Sequence, residues 1–500
     1  MKNKKNIYLI VISLVIVIVG AAIFFRPVFL DNENLIGRIS SKVLNKQMLE
    51  KRIRNNFSNF TPQTIPIPLQ PNSVIAGEFI VNVDTIRNQI NPHIDSMANK
   101  FIVTWVKLFN PDPTPPEVVV RVFDDDGPSL TGEIVVGNLD LNTAPFNGPR
   151  VSMFSDGGFV VVWEKDNSTS TTNEDSDIYA RIYDNSFNPV ANEFSVHPGS
   201  TLGEQRLADV AVLSNGNFVV TWLDASAFSN QGGYNPGSFY GTVYGQIFTS
   251  SGTPVGSQFQ IATLNEEWQT SPAVSASNDG NFIVVMGSET AISGPDFLMI
   301  ISKDIIGRRF DNSGTPLEVE FQVNSLSSLS CCPTWISHEP AVDYLYNGDF
   351  VVTWLYESLP SSTASHNDYY IYARRFDSSG IPVAEFMVDS VNPYVTINGE
   401  LTPFFSYPDV SGKMFQNSYD ITWHSLTSAN NHDVYKRTYD FQDVPMGVKM
   451  LVNTYTANQQ TDPAIASYRQ GYVVVWASYD QLGQESEVYG QRFDNTNNPL

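Results

Sequence analysis

Four glutamines recur at one position in repeated segments of this 500-residue chain, each three residues before a Pro or an Ala. They are Gln89, Gln205, Gln269 and Gln460. An amide side chain both donates and accepts hydrogen bonds, so a convergent set of them could bind a polar ligand. They could equally satisfy backbone groups of nearby loops. Both interpretations stay open at this point.

Aromatic side chains occur in the long segments between apolar motifs, where they could stack on a sugar or pack against a peptide. The ligand-contact candidates of this kind are Tyr234, Trp268, Trp335 and Tyr394. The alternative is that these rings cover the ends of the strands beside them.

Acidic residues suggest calcium at two places. Asp175 and Asp177 lie in one acidic segment, and Asp124 and Asp126 lie in the run "FDDDG". Calcium prefers carboxylate oxygens, but neither segment has the alternating oxygens and distal Glu of an EF-hand loop. Asp also serves turns on conformational grounds, so ordinary turn residues are the alternative. Calcium is the one cofactor that the sequence suggests.

Signs of catalysis are sparse. The sequence contains no nucleophile-elbow, phosphate-loop or metalloprotease motif, and its six histidines lack metal-ligand spacing. Asp224, Glu357 and Asp480 follow strand motifs in separate repeats and could converge as carboxylates for polysaccharide cleavage. Cys331 and Cys332 are adjacent, which fits a strained disulfide or two free thiols.

These candidates lie around a strand motif that recurs seven times. The copies are "FIVTW" 101–105, "FVVVW" 159–163, "FVVTW" 218–222, "FIVVM" 282–286, "FVVTW" 350–354, "YDITW" 419–423 and "YVVVW" 472–476. A short apolar strand comes before each copy, and in four repeats an Asp-Gly or Asn-Gly pair predicts a two-residue hairpin turn between them. A third strand such as "IYARRFD" and a fourth of the type "EFxVN" follow. Each repeat therefore predicts a four-stranded antiparallel sheet.

Both faces of "FVVTW" are largely apolar, so each sheet needs cover on both sides. Seven sheets packed radially supply that cover, and we predict an all-β, seven-bladed β-propeller over residues 73–500. The segment "AGEFIVN" at 76–82 has the form of a fourth strand, whereas the seventh repeat stops before its own. We expect the amino-terminal strand to complete the last blade and close the ring.

These motifs resemble a repeat of bacterial secreted and surface proteins that has the pattern "DGGFVVVW", "IYGRRFD" and "EFQVN". Such repeats often accompany adhesin or calcium-binding modules. The resemblance covers nearly all of 73–500, with departures at Met286 and in the sixth repeat. It implies a propeller with a surface or adhesion role, and it transfers no catalytic residue.

The amino terminus predicts a membrane anchor. Residues 7–25 carry no charge and follow the basic start "MKNKK", which indicates a signal anchor over 1–30. A cleaved signal peptide is the alternative, and it would make the protein secreted. A helical juxtamembrane stalk over 31–60 and a Pro-rich linker over 61–72 follow. We expect a single-pass cell-membrane protein whose propeller is extracellular.

The net charge is −23 although the first 56 residues are basic, so the acidity lies in the propeller. An acidic surface repels phosphate backbones and argues against nucleic-acid binding. Long, varied loops on a rigid scaffold are typical of binding sites. The sequence favours an extracellular module that binds a glycan or protein ligand, and a propeller glycosidase or lyase is the alternative.

Overall fold

The computed structural model describes residues 77–500 apart from interior segments of the chain. The segments left out are 109–114, 140–147, 167–175, 198–203, 226–240, 264–266, 295–296, 326–334, 359–367, 392–393, 398–399, 404–406, 414–415, 429–430 and 484–485. The predicted anchor, stalk and linker, over 1–72, lie outside the described residues. Within the described part, no helix has the length and apolar character to span a membrane.

Thirty strands, numbered in chain order, make up the described fold. Blade 1 contains β2 (Asn88–Met97), β3 (Lys100–Leu108), β4 (Glu117–Asp124) and β5 (Ile134–Asn138); blade 2 contains β6 (Arg150–Met153), β7 (Phe159–Asp166), β8 (Ser176–Tyr183) and β9 (Phe194–Ser195); blade 3 contains β10 (Gln205–Val212), β11 (Phe218–Asp224), β12 (Thr242–Phe248) and β13 (Pro254–Gln260). Blade 4 contains β14 (Glu267–Ala276), β15 (Phe282–Gly294), β16 (Phe297–Phe310) and β17 (Phe321–Gln322); blade 5 contains β18 (Trp335–Tyr344), β19 (Phe350–Ser358), β20 (Asp368–Phe376) and β21 (Phe386–Val391). Blade 6 contains β24 (Asp409–Gly412), β25 (Ser418–Ser428), β26 (Asn431–Asp440) and β27 (Met450–Leu451); blade 7 contains β28 (Gln460–Tyr468), β29 (Gly471–Tyr479), β30 (Ser486–Asp494) and β1 (Glu78–Ile80).

The prediction of a seven-bladed, all-β propeller is confirmed. Seven four-stranded antiparallel sheets occur, each a meander of neighbouring strands. The first strand of each blade contacts those of both neighbours, and β28 contacts β2, so the ring closes. A small hairpin, β22 (Tyr394–Ile397) with β23 (Glu400–Pro403), stands between blades 5 and 6, where the sequence predicted only a long loop.

The amino-terminal strand closes the ring as predicted. β1 pairs with β30, with Glu78 opposite Gln491 and Phe79 opposite Gly490. The Phe79 ring packs against Phe101 and Phe123 of blade 1, with centroids 6.2 and 5.5 Å apart. A Cβ at Gly490 would lie 2.8 Å from the Phe79 ring, so glycine provides the space for this contact. The closing strand therefore joins blade 7 to blade 1 by packing as well as by pairing.

The second strand of each blade forms the core, as its two apolar faces predicted. In β19, Val352 and Trp354 on one face and Val351 and Thr353 on the other have no exposed surface. Each face is covered because a neighbouring blade packs on either side. Burial of a side chain such as Val352 contributes about 1.5–3 kcal/mol to folding.

The Asp-Gly and Asn-Gly turns of blades 2 to 5 differ from the predicted two-residue type. In blade 2, Phe154 N donates to Gly158 O at 2.8 Å and Gly157 N donates to Phe154 O at 2.9 Å. Gly157 has φ +94°, whereas Asp156 is not among the residues with positive φ. This pattern is a three-residue loop with a left-handed glycine, so one glycine per turn is enough to reverse the chain.

The arginines of the third strands join each blade to the preceding one. In blade 5, Arg374 donates from Nη1 to Val323 O of blade 4 at 2.8 Å and from Nε to Val383 O at 2.8 Å. The same contact with a preceding blade is made by Arg121 to Val81, Arg181 to Val136, Arg308 to Ile261 and Arg437 to Val388. The repeated arginine is therefore a structural residue.

The "EFxVN" motif is structural for a related reason. Its Glu accepts a backbone N–H from the preceding blade, as Glu385 does from Ser325 at 2.6 Å. Its Asn accepts a backbone N–H from its own third strand, as Asn324 does from Ile305 at 2.8 Å. The signature residues of this motif therefore connect strands within a blade and neighbouring blades to each other.

Candidate functional site

The first strands surround the central channel, and their alternate residues face it. Two rows of side chains result. The residue directly after the Pro or Ala that begins the apolar part of each first strand belongs to the upper row, and the residue two positions later belongs to the lower row. The upper row is His93, Arg150, Asp209, Ala273, Ala341, Asp409 and Ala464, and the lower row is Asp95, Ser152, Ala211, Ser275, Asp343, Ser411 and Ala466. The channel wall is therefore rich in carboxylates and hydroxyls.

Each channel aspartate accepts a hydrogen bond from the backbone of the next blade. The donors are Met153 N to Asp95 at 2.7 Å, Val274 N to Asp209 at 2.8 Å, Gly412 N to Asp343 at 2.8 Å and Ile465 N to Asp409 at 2.9 Å. Charge-assisted bonds of this type are stronger than those between neutral groups. The aspartates thus hold neighbouring blades together at the axis of the ring.

Serines make the same link at the remaining junctions. Val212 N donates to Ser152 Oγ at 3.1 Å, and Tyr344 N donates to Ser275 Oγ at 3.1 Å. At the junction of blades 7 and 1 the direction reverses, because Ser96 Oγ donates to Ser467 O at 2.7 Å. Side-chain hydrogen bonds therefore cross every blade junction.

Burial raises the pKa of Asp343 to about 7, and the pKa values of Asp95 and Asp409 to about 6. Repulsion between the channel carboxylates adds to this effect, whereas their backbone donors oppose it. Burial also raises the pKa of Asp209, although Arg150 Nε lies 3.9 Å from its Oδ1 and opposes the shift. The channel can therefore bind and release protons near neutral pH.

The upper face, which we define as the side of the 2–3 and 4–1 connections, contains a second repeated feature. Five first strands have a register shift just above the channel rows, and a non-glycine residue there has positive φ. These residues are Asn91 (52°), Leu207 (55°), Ser271 (43°), Glu339 (55°) and Asp462 (51°). L-residues adopt this conformation at a cost of about 1–3 kcal/mol, and such strained residues cluster at functional sites. Bulges also redirect side chains. We name these five residues the mouth residues.

The four glutamines lie beside the mouth residues but are buried. Gln89 accepts from Trp105 Nε1 at 2.7 Å and donates to Asp84 O and Arg87 O. Gln460 accepts from Trp476 Nε1 at 3.2 Å and donates to Ala457 O. Val243 N donates to Gln269 at 2.6 Å, and Gln205 has no exposed surface. These contacts match the alternative of backbone satisfaction, and ligand contact by the glutamines stays a prediction.

The three carboxylates considered for catalysis lie at the upper ends of second strands in blades 3, 5 and 7. Asp224 ends β11, and Asp480 follows β29 with its side chain exposed. Glu357 accepts a hydrogen bond from Tyr369 OH at 2.9 Å. The three carboxylates therefore belong to three different blades, and their convergence stays a prediction.

Two histidines of blade 6 are buried together near the same face. His424 and His432 have no exposed surface, and their ring centroids are 5.4 Å apart. Burial lowers the pKa of His432 to about 3, so this imidazole is neutral at physiological pH. A buried neutral histidine is consistent with a structural role.

One pair of metal candidates lies on the face opposite the mouth. Asp124, Asp125 and Asp126 bring their carboxylates within 4.8 Å of one another in a turn on the opposite face. Burial and the neighbouring carboxylates raise the pKa of Asp125. Asp177 lies on β8 and Asp175 lies outside the described residues. The carboxylates of Asp124 and Asp126 could ligate a cation together with Asp125.

The remaining candidates are described only in part. Trp268, Trp335 and Tyr394 lie on β14, β18 and β22, respectively, at the upper face, but their side chains are outside the description. Tyr234, Cys331 and Cys332 lie in segments outside the described residues altogether. Their roles stay predictions.

Sequence reasoning missed the channel rows and the mouth residues. A signal for the rows was present, since Asp343 in "PAVDYL" and Asp409 in "PDVSG" interrupt apolar strands at alternate positions. The bulges had a weaker signal in the Pro that follows Asn91, Ser271, Glu339 and Asp462. No sequence rule predicts that these residues take a left-handed conformation.

Comparison with known proteins identifies no family for this chain. No known family and no curated protein matches the chain, so the resemblance to bacterial surface repeats stays a prediction. A polysaccharide lyase of known structure is similar, with a TM-score of 0.48 and 10% identity over 86% of this chain and 94% of that one. An α-L-arabinanase from Penicillium chrysogenum has a TM-score of 0.42 and 12% identity over 83% and 98%. A Dyadobacter fermentans protein of unknown function has a TM-score of 0.44 and 8% identity over 83% and 97%.

Proposed function

We propose that this protein is a ligand-binding propeller that takes a polar ligand at the upper mouth of its channel. The observation that carries the proposal is the set of five non-glycine mouth residues in left-handed conformations. Such strain persists only where the surroundings enforce it, and it clusters at sites of function. The repeat signature residues make contacts between strands and between blades. Recognition of the ligand would therefore depend on the mouth residues and the loops.

The chemistry of the mouth favours a glycan as the ligand. Asn91, Ser271, Glu339 and Asp462 offer amide, hydroxyl and carboxylate groups, which match the hydrogen-bonding groups of sugars. The acidic charge of the propeller disfavours polyanions, so the glycan is neutral or basic. Tyr234, Trp268, Trp335 and Tyr394 would supply stacking surfaces on the upper face. A protein ligand with a basic surface is the other possible partner.

The same face could serve an enzyme, which is the second candidate. Glu339 and Asp462 are the two acidic mouth residues, and they would be the carboxylate pair that glycoside cleavage requires. Binding without turnover needs neither residue as an acid or base. The two functions therefore differ in whether the ligand is cleaved.

We further propose that residues 1–30 anchor the protein in the cell membrane and hold the propeller outside the cell. The support is the uncharged segment 7–25 behind a basic start, which lies outside the described residues. Fractionation of cells before and after surface proteolysis would test this arrangement. Recovery of intact propeller from protease-treated cells would contradict it.

A glycan-binding screen of the full chain, with and without calcium, tests the function. We expect binding to a neutral or basic polysaccharide, and we expect Asp462→Asn to weaken that binding at least tenfold. Asp184→Asn is the matched control, because it makes the same change in an exposed turn on the opposite face. Binding that survives Asp462→Asn and is lost in Asp184→Asn would refute the assignment to the mouth. Release of shortened saccharides would establish the enzyme instead.

A further inference from the structure

Blade 6 replaces apolar core positions with charged residues at its boundary with blade 7. Asp420 occupies the position of Val351 in blade 5, and Lys436 occupies the position of Ala373. Together with Lys413, these three side chains are at most 2% exposed. A buried charge is costly unless it is paired, so this departure from the repeat requires a physical explanation.

The three charged groups form one compact cluster. Lys436 Nζ lies 2.6 Å from Asp420 Oδ1, and Lys413 Nζ lies 3.2 Å from Asp420 Oδ2. Thr438 Oγ1 donates to Asp420 Oδ1 at 2.5 Å. Two ammonium groups share one carboxylate, so the cluster is neutral only when one lysine has lost its proton.

Lys436 is the lysine whose pKa is lowered by its surroundings, so a fraction of it is the neutral amine near neutral pH. Burial and the charge of Lys413 lower the pKa of Lys436 to about 8, although Asp420 opposes the shift. An unprotonated lysine amine is a nucleophile, and burial is a common means of producing one. The cluster therefore holds a reactive amine away from bulk water.

An amide carbonyl lies against this amine. Asn497 belongs to the turn after β30, and its Oδ1 is 2.9 Å from Lys436 Nζ. Since a carbonyl bond is about 1.2 Å long, Nζ lies within about 4 Å of Asn497 Cγ. The same Oδ1 accepts from Tyr472 OH at 3.0 Å and lies 3.5 Å from Lys413 Nζ. Two donors thus point at the oxygen that would gain charge during attack at Cγ.

We propose that Lys436 and Asn497 join in an intramolecular isopeptide bond that links blade 6 covalently to blade 7. Lys436 supplies the nucleophile, and Asp420 accepts its proton. Tyr472 and Lys413 stabilise the developing negative charge on Oδ1. Burial raises the pKa of Tyr472, so its phenol stays protonated and remains a donor.

The reaction balances without a cofactor. Nζ of the neutral amine forms a bond with Cγ of Asn497, and the bond between Cγ and Nδ2 breaks. One proton passes from Nζ to Asp420 and then to Nδ2, which leaves as ammonia. The product is a secondary amide between the two side chains. Proximity in a water-excluding site supplies the rate, as in other acyl transfers within one molecule.

The bond would secure the ring at its point of closure. Asn497 lies in the turn that follows β30, and β30 is the strand that receives β1. A covalent link from blade 6 to this turn would resist separation of the closing blade, because it restricts the unfolded chain as a disulfide does. Such a link would resist reducing agents, which cleave disulfides.

Peptide mass spectrometry of the full chain tests the proposal. After tryptic digestion we expect the carboxyl-terminal peptide 493–500 to be joined to the peptide that contains Lys436, with the mass of one ammonia missing. Asn497→Gly should abolish the joined species, and glycine suits the positive φ of 68° at this position. Asn498→Ala is the matched control, because it removes the neighbouring asparagine and should leave the joined species in place.

Asp420→Asn should also give separate peptides, since it removes the proton acceptor while leaving both reacting groups. Recovery of both peptides unlinked from the wild-type protein would overturn the proposal. A link from Lys413 to Asn497 would overturn the assignment of the nucleophile. A joined species that persists in Asn497→Gly would show that another residue is the acceptor, which would likewise refute the bond.

Discussion

The channel carboxylates make stability depend on pH, and Asp343 is the residue that tests this most directly. Its two oxygens accept from Ser275 Oγ at 3.0 Å and from Gly412 N at 2.8 Å. Burial raises the pKa of Asp343 to about 7, above its value in an unfolded chain. The folded protein then binds the proton more tightly than the unfolded chain does. The free energy of unfolding must therefore fall as the pH rises through this pKa.

Asp343→Asn removes this dependence because an amide stays neutral at every pH. The folded pKa is near 7 and the unfolded pKa is near 3.8. The contribution of the wild-type carboxyl to the free energy of unfolding therefore falls by about 2.5 kcal/mol between about pH 5 and pH 8. The Asp343→Asn variant lacks this decrease. The difference in free energy of unfolding between the variant and the wild type should therefore shift in favour of the variant by about that amount over the same pH interval. At the acidic end the two proteins should differ little, since both side chains are then neutral.

Denaturant unfolding at several pH values, followed by tryptophan fluorescence, measures the difference. Six tryptophans lie in the second strands and are fully or almost fully buried, so the signal reports on the blades. The other titrating groups contribute equally to both proteins, so their contribution to the pH dependence cancels when the variant is compared with the wild type. Ser275→Ala is the control: it leaves the carboxyl in place, so the wild-type decline with pH should persist. Parallel pH profiles for wild type and Asp343→Asn would refute the reasoning.

Three further changes test the ring and its joints by denaturant unfolding. Phe79→Ala should cost about 3 kcal/mol, because it removes the ring that packs the closing strand on blade 1. Gly490→Ala should cost about 1–3 kcal/mol through a clash with the Phe79 ring, and the double variant should cost less than the sum of the two; full additivity would contradict the contact. Arg374→Lys should cost about 1–2 kcal/mol, because lysine cannot donate to Val323 O and Val383 O together; an unchanged midpoint would show that this joint is dispensable.

The fold could be predicted from the sequence because its determinants are local and repeated. Seven copies of one strand motif, each apolar on both faces, require seven sheets that cover one another. The spare strand around Phe79 then pairs where the seventh repeat lacks a fourth strand. The turn type was predicted less well, because Asp156 and Gly157 are compatible with more than one loop length.

The candidate site could be predicted only in outline. Position in the repeat placed the glutamines at the upper ends of the first strands, but it could not show that their amides contact Trp105, Trp476 and backbone carbonyls. The positive φ angles of Asn91 and Asp462 result from a bulge that pairing with the second strand enforces. Neither residue type requires that conformation.

The sequence by itself determined the number of blades, the strand order and the partner of the amino-terminal strand, since each depends on hydrophobic periodicity along the chain. Only the tertiary structure decided which polar groups meet. Asp343 and Gly412, or Lys436 and Asn497, are distant in sequence and belong to different blades. Their contact follows from the packing of neighbouring blades, which brings these polar atoms within hydrogen-bond distance. Periodicity in a sequence determines only the order of the strands and their buried faces.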